Sequence, residues 1–226
     1  MKIAIIPARG GSKRIPKKNI KMFAGKPMIA WTIQCAFASN VFDRVIVSTD
    51  SGEIGKVAEG FGAEIPYIRP KELSNDIAGT RDVILHGIEE LCLSKTDIVA
   101  CLYATAPFME PSKLNDASEV LRRDPTAFVY SVGKFSYPIQ RALRLREDGK
   151  SEMMWPENNL VRSQDLEEAF HDAGQFYMGT VDSWKTRIDI FDGGTPVILK
   201  GERVQDIDNI DDWVKAERMM KALEIR

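Results

Sequence analysis

Lys2-Ile-Ala-Ile-Ile-Pro-Ala-Arg-Gly-Gly-Ser-Lys-Arg-Ile-Pro-Lys-Lys-Asn19 runs from a short apolar stretch into a glycine turn crowded with cations. Ile3 to Ile6 is continuously apolar, the pattern of a parallel strand covered on both faces. Gly10 and Gly11 carry no Cβ, so backbone N–H groups of Ala8 to Ser12 can approach phosphate oxygens closely. Arg9, Lys13 and Lys18 add full charges, the guanidinium as a fork and the ammonium groups as point charges. Eight cations (Lys2, Arg9, Lys13, Arg14, Lys17, Lys18, Lys21 and Lys26) precede the first acid, Asp43, in a chain whose formal net charge is −2. Charge this local in a nearly neutral chain points to a small anionic ligand and away from nucleic acid.

Two familiar loops also join a strand to a helix through glycines, and neither fits. The P-loop needs G-x-x-x-x-G-K-[ST], which does not follow Gly10 or Gly11. The dinucleotide fingerprint needs G-x-G-x-x-G, whereas here the glycines are adjacent and Lys13 and Arg14 stand where the helix should begin.

Outward from this loop, short runs rich in β-branched residues at Ile3–Ile6, Arg44–Ser48, Glu64–Ile68, Asp97–Leu102 and Ala127–Val132 predict strands. Helical spacing fills Pro27–Ser39, Gly52–Phe61, Thr80–Leu93 and Pro111–Arg123 between them. The alternation predicts an α/β fold, a Rossmann-like mostly parallel sheet with helices on both faces. Ligands of such sheets bind beyond the carboxyl ends of the strands, where the Arg9 loop would lie. Gln175–Val181 and Thr195–Leu199 predict further strands, and Asp208–Glu224 a closing amphipathic helix. At 226 residues and 44% hydrophobic content, the expectation is a single domain over 1–226.

Residues 134–160 break the rhythm. Ala142-Leu-Arg-Leu-Arg146, a turn at Glu147-Asp-Gly149 and Glu152-Met-Met-Trp155 read as a β-hairpin extension. Such a hairpin, bearing Met153, Met154 and Trp155, is not stable alone in water and needs a surface to pack on, in its own subunit or another.

No run of eighteen apolar residues occurs, and the start lacks the features of a signal peptide, so a cytoplasmic protein without membrane association is expected. Cys35, Cys92 and Cys101 are odd in number and lie among apolar neighbours, which predicts packing residues. With only His86 and His171, a Ser-His hydrolase or a histidine metal cluster is disfavoured. His86 is expected on a helix surface.

Near the end, Gln205-Asp-Ile-Asp-Asn-Ile-Asp-Asp-Trp213 offers two readings. If Val204–Asp208 is extended, Asp206 and Asp208 project to one side, and two hard oxygens there suit Mg²⁺. The same acids also suit the cap and first turn of the following helix. Spacing alone leaves both open.

The segment Ile6 to Asn19, with Gly25-Lys-Pro-Met28 after it, resembles the signature of the CMP-sugar synthetases, cytidylyltransferases that activate nonulosonic acids. Trp155-Pro-Glu-Asn158, Arg162-Ser-Gln-Asp-Leu166 and His171-Asp-Ala-Gly-Gln-Phe-Tyr177 narrow the similarity to the pseudaminate branch of that family. It implies a nucleotidyltransferase architecture of the nucleotide-diphospho-sugar transferase kind and dimerisation through the hairpin to give a homodimer. It also implies that CTP and a nonulosonic acid are the substrates. By the same resemblance, Asp206 and Asp208 would hold Mg²⁺, Arg9, Lys13 and Lys18 the triphosphate, and Asn19 the ribose. Arg69, Ala78 and Thr80 would meet the base, and Arg162 the sugar carboxylate, with Gln164 and Gln175 as further sugar partners. Sialic acid synthetases have Gln-Pro-Thr-Ser-Pro where this chain has Tyr103-Ala-Thr-Ala-Pro107, and a lysine where it has Gln140. A phenol gained and an ammonium lost suit a more deoxygenated sugar, with Tyr103 and Gln140 on its side of the site; Ala104 departs from the branch, which has proline there.

Overall fold

The computed structural model describes residues 1–187 and 189–225. Its strands are β1 (Lys2–Pro7), β2 (Met22–Phe23), β3 (Lys26–Pro27), β4 (Arg44–Ser48), β5 (Ile98–Leu102), β6 (Val129–Lys134), β7 (Leu143–Leu145), β8 (Ser151–Met153), β9 (Phe170–Thr180) and β10 (Thr195–Leu199). Its α-helices are α1 (Met28–Ala38), α2 (Gly52–Gly60), α3 (Thr80–Glu90), α4 (Pro111–Arg123), α5 (Val181–Thr186) and α6 (Ile210–Ala222). Six strands form the main sheet in the order β10-β6-β9-β5-β1-β4. The pairs β1–β4, β1–β5 and β10–β6 are parallel, while β9 runs antiparallel to both β5 and β6. The expected parallel sheet is therefore interrupted by one reversed strand at its centre.

Alternation along β1 sorts the helices. Ala4 and Ile6 pack with Ile29 and Ile33 of α1, Ile54 and Ala58 of α2, and Leu114 and Ala117 of α4. Ile3 and Ile5 face the other way, toward Ile84 and Ile88 of α3 and Trp184 of α5. A fully apolar strand is what a sheet covered on both faces requires.

Glu64–Ile68 does not form a strand. Its backbone makes only isolated bridges, Glu64 to Ile46 of β4 and Ile68 to Thr49 just past that strand. Pro66 lies between them and has no N–H to give to a ladder, so pairing cannot run through.

Two smaller expectations are also corrected. Cys92 follows α3 in the left-handed region (φ 51°) and is exposed, so it is not a packing residue; Cys35 and Cys101 are buried. Burial pushes the Cys35 thiol up to about 12. His86 is not simply on a surface. Its ring packs edge-on against Tyr67 with centroids 5.3 Å apart, and its side chain is only 16% exposed.

A third apolar cluster lies apart from the two sheet faces and decides the position of the basic loop. Ile15 of the loop, Phe23, Met28 and Trp31 gather with Ile207 and with Trp213, Ala216 and Met220 of α6. Ile15 and Ile207 are both essentially inaccessible. Burying each contributes on the order of 1.5–3 kcal/mol. The N-terminal loop and the segment before the last helix, nearly two hundred residues apart, are thereby fastened together.

Among the described residues no helix is long and apolar enough to cross a membrane.

Candidate active site

The basic loop lies past the C-terminal end of β1 and borders a cleft of about 560 Å³. Arg9, Ser12, Lys13, Arg14, Lys18, Asn19, Arg69, Ala78, Thr80, Tyr103 and Asp208 all line it. Most of the residues expected at the nucleotide thus face one space.

The loop is shaped by polar contacts as well as by Ile15. Asn19 is buried and its Nδ2 donates to the Arg9 carbonyl at 3.0 Å. The Gly10 N–H donates to Asp50 Oδ1 at 2.8 Å, and a Cβ on Gly10 would come within 3.2 Å of Ser51 Cβ. Gly10 therefore permits close approach to the turn after β4, and its amide is already occupied by a carboxylate. Neither Gly10 nor Gly11 has a positive φ, so left-handed backbone is not the reason for the pair.

Lys18 donates from Nζ to the Ile207 carbonyl at 2.7 Å and stands 3.8 Å from Asp208 Oδ1. Arg14 reaches the same carboxylate at 2.8 Å. Burial lowers the Lys18 pKa, while Asp208 and Asp206 pull it upward. Asp206 counts as exposed, yet crowding by protein around the carboxyl lifts its pKa, with the Asp208 charge adding to the lift and Lys18 opposing it.

The structure separates the acids near the C-terminus into two groups. Asn209 is the N-cap of α6, its Oδ1 accepting from the Asp211 and Asp212 N–H groups at 2.9 Å. Asp212 returns the bond, accepting from the Asp208 and Asn209 N–H groups at 3.0 Å. That reciprocal box supplies the cap without Asp206 or Asp208. The helix begins at Ile210, later than the expected Asp208, and Val204–Asp208 is unpaired chain rather than strand. Ile207 points inward, and Asp208 between the helix and the cleft is left for the cations.

Among the described residues no group of three or more His, Cys, Asp or Glu converges on a point that could hold a metal unaided. Two carboxylates two residues apart, one of them on the cleft wall, suit Mg²⁺, which takes one or two protein carboxylates and completes its shell with phosphate and water.

Among the residues expected at the base, Arg69 is buried and its Nε donates to Ser74 Oγ at 3.1 Å. Thr80 opens α3 but Gly79 is its N-cap, and the Thr80 hydroxyl instead meets the Tyr103 hydroxyl at 2.8 Å.

The residues expected at the sugar do not gather in this cleft, Tyr103 excepted. Gln175 is buried beneath it, donating from Nε2 to the Arg203 carbonyl at 2.6 Å, while its Oε1 is buried without a partner. Gln140 donates to the Glu167 carbonyl at 3.1 Å. Gln164 lines a separate depression with Phe135 and Tyr137, and Arg162 is exposed.

Sequence reasoning missed three polar residues at the cleft or against its basic loop. Arg14 was counted only as charge, Asp50 holds Gly10, and Asp76 binds both Arg9 and Lys13, at 2.7 and 2.6 Å. Asp76 sits in Ser-Asn-Asp-Ile-Ala-Gly79, which reads as an ordinary turn, and no local signal ties it to residues some sixty positions earlier.

The family described as Cytidylyltransferase matches residues 3–178. The chain is 43% identical over 222 residues to the pseudaminic acid cytidylyltransferase of Campylobacter jejuni, covering 97% of this chain and 96% of that one. It is 32% identical to the CMP-N,N'-diacetyllegionaminic acid synthase of Legionella pneumophila, with 97% and 96% covered. Among solved structures, a CMP:2-keto-3-deoxy-manno-octonic acid synthetase complexed with CTP superposes with a TM-score of 0.71 at 18% identity, over 99% of both chains.

Proposed function

The chain belongs to the cytidylyltransferase family, and we propose that it transfers CMP from CTP to the anomeric hydroxyl of pseudaminic acid, releasing pyrophosphate. One observation carries the site assignment: the cationic loop and the Asp206–Asp208 segment meet on a single cleft, fastened by Ile15, Ile207 and the Lys18 contact. Pseudaminic acid is preferred because the relatives that act on it include the 43% identical protein of Campylobacter jejuni.

In this reading Arg9, Lys13, Arg14 and Lys18 bind the triphosphate and neutralise it. The anomeric oxygen attacks the α-phosphorus, the bond from that phosphorus to the bridging oxygen of the β-phosphate breaks, pyrophosphate leaves and the hydroxyl proton is released. Charge grows on phosphoryl oxygens, so prepositioned cations lower the barrier without any nucleophilic side chain. Asp206 and Asp208 would hold Mg²⁺, which supplies Lewis-acid neutralisation of phosphoryl oxygens when bound. Lys18, bonded to the Ile207 carbonyl between the two aspartates in sequence and 3.8 Å from Asp208, keeps that acidic edge oriented. Asn19 fixes the loop backbone under the ribose, and Arg69, Ala78 and Thr80 border the base.

The chain acts as one catalytic domain in a homodimer in the cytoplasm. Gln140, Arg162 and Gln164 lie on the excursion after β6, outside the cleft, and a second copy brings such residues to the site of its neighbour. Exposed Leu143, Leu145, Met154, Trp155 and Leu160 on that excursion support this, since their own subunit leaves each of them partly or largely uncovered.

Pyrophosphate release tests the whole reading. With CTP and Mg²⁺, pseudaminic acid should give turnover well above N-acetylneuraminic, legionaminic and 3-deoxy-octulosonic acids. Turnover with one of the others in its place would overturn the sugar assignment, and none with any would overturn the activity.

A further inference from the structure

Asp76 lies on the exposed turn between Arg69 and α3, and its two carboxylate oxygens take two different cations of the basic loop. Oδ1 accepts from Arg9 Nη1 at 2.7 Å and Oδ2 from Lys13 Nζ at 2.6 Å. The turn is preset to present it. Asn75 Oδ1 accepts from the Ile77 and Ala78 N–H groups, both at 2.8 Å, and Asn75 Nδ2 donates to the Glu72 carbonyl at 2.8 Å. Nothing apolar pins the tip, for Ile77 is 92% exposed. The hydrogen bonds from Lys13 and Arg9 hold the carboxyl below the usual carboxylate range, so it is charged at neutral pH.

A carboxylate bridging a guanidinium and an ammonium is a chemical stand-in for a phosphate group. We propose that Asp76 is an exchanging counter-ion, which occupies Arg9 and Lys13 while the cleft is empty, gives way to the nucleotide's phosphates, and returns as pyrophosphate leaves. The proposal rests on the reading of Arg9 and Lys13 as phosphate-binding residues. Solvent-exposed ion pairs of this kind are individually weak, so a polyphosphate with several charges displaces one carboxylate readily. Their effect is still to lower affinity for any polyanion that must take the same cations, and so to favour product discharge. Because Asp76 and Ala78 share one turn, displacement at the phosphates also moves a residue bordering the base.

The test is calorimetric titration of the full chain with inorganic tripolyphosphate and with pyrophosphate, comparing wild type with Asp76→Asn and Asp76→Ala. Both variants should bind each anion at least ~3-fold tighter. The difference should shrink as salt is raised. Unchanged or weaker binding in either variant overturns the proposal, as does a wild-type protein that binds no tripolyphosphate. Failure of the enzymatic reading would look different: tighter anion binding in the variants, with no pyrophosphate released from CTP by wild type with any sugar acid.

Discussion

The cleft and the excursion after β6 both carry apolar and charged side chains, but the two regions hold them by opposite means. At the cleft, the basic loop and the Asp208 segment stand on anchored backbone: Ile15 and Ile207 are buried in one cluster, Asn19 is buried, and Lys18 is tied to a carbonyl. From residue 134 to 170 no whole residue is buried, and Leu145 and Leu160 are 81% and 94% exposed. The hairpin β7–β8 pairs only with itself, over three residues a side. Two-stranded ribbons are marginal in water, so this region has its geometry without its packing. The difference teaches that one chain packs the cleft by itself but leaves the excursion's apolar side chains largely open to solvent.

That contrast can be broken most severely at its anchor. Ile207→Ala should lower stability by about 2–5 kcal/mol, from lost burial and the cavity left behind. Because Lys18 binds the carbonyl of that residue, CTP affinity should fall with it. Calorimetric melting and nucleotide titration would show both, and a variant with wild-type melting would mean the loop is held by something else.

Asp206→Asn keeps the shape and removes one charge of the proposed Mg²⁺ site. Turnover should drop by about 10²–10³, while the melting temperature is nearly unchanged. Near-normal magnesium-dependent turnover would remove Asp206 from the site.

Leu145→Asp addresses the other region. The expected result is a monomer by analytical ultracentrifugation, with sugar-dependent turnover reduced about tenfold, equivalent to ~1.4 kcal/mol, and with CTP binding unchanged. A variant that stays dimeric at full activity would detach the excursion from assembly.

The smallest effect is expected at the last helix. Asn209→Ala removes the cap of α6 and should cost about 1 kcal/mol. It leaves the Ile15–Ile207 cluster in place, so CTP affinity should hardly move, and a large loss would show that the cap positions Asp208.

Legibility in the sequence followed periodicity. Ile3–Ile6, Arg44–Ser48 and Pro111–Arg123 could be located because their apolar spacing answers to a local rule. Glu64–Ile68 misled because its composition suits a strand and Pro66 vetoes the ladder. The reversal of β9 was hidden, since an apolar run in a buried sheet reads the same in either direction. The basic loop announced itself by charge, but Asp50 and Asp76 did not, because each acts on residues far away in the chain.

The sequence by itself determined the α/β alternation, the one-sided cationic loop and the pair of aspartates before the final helix, all features written within a dozen or so residues. Only the tertiary structure decided that the loop and the aspartates meet, that Asn209 and Asp212 cap α6 so that Asp208 need not, and that Asp76 occupies Arg9 and Lys13. The reason is physical: local propensity acts through neighbouring residues, whereas the juxtaposition of Lys18 with Ile207 exists only once a shared apolar cluster has excluded water from between them.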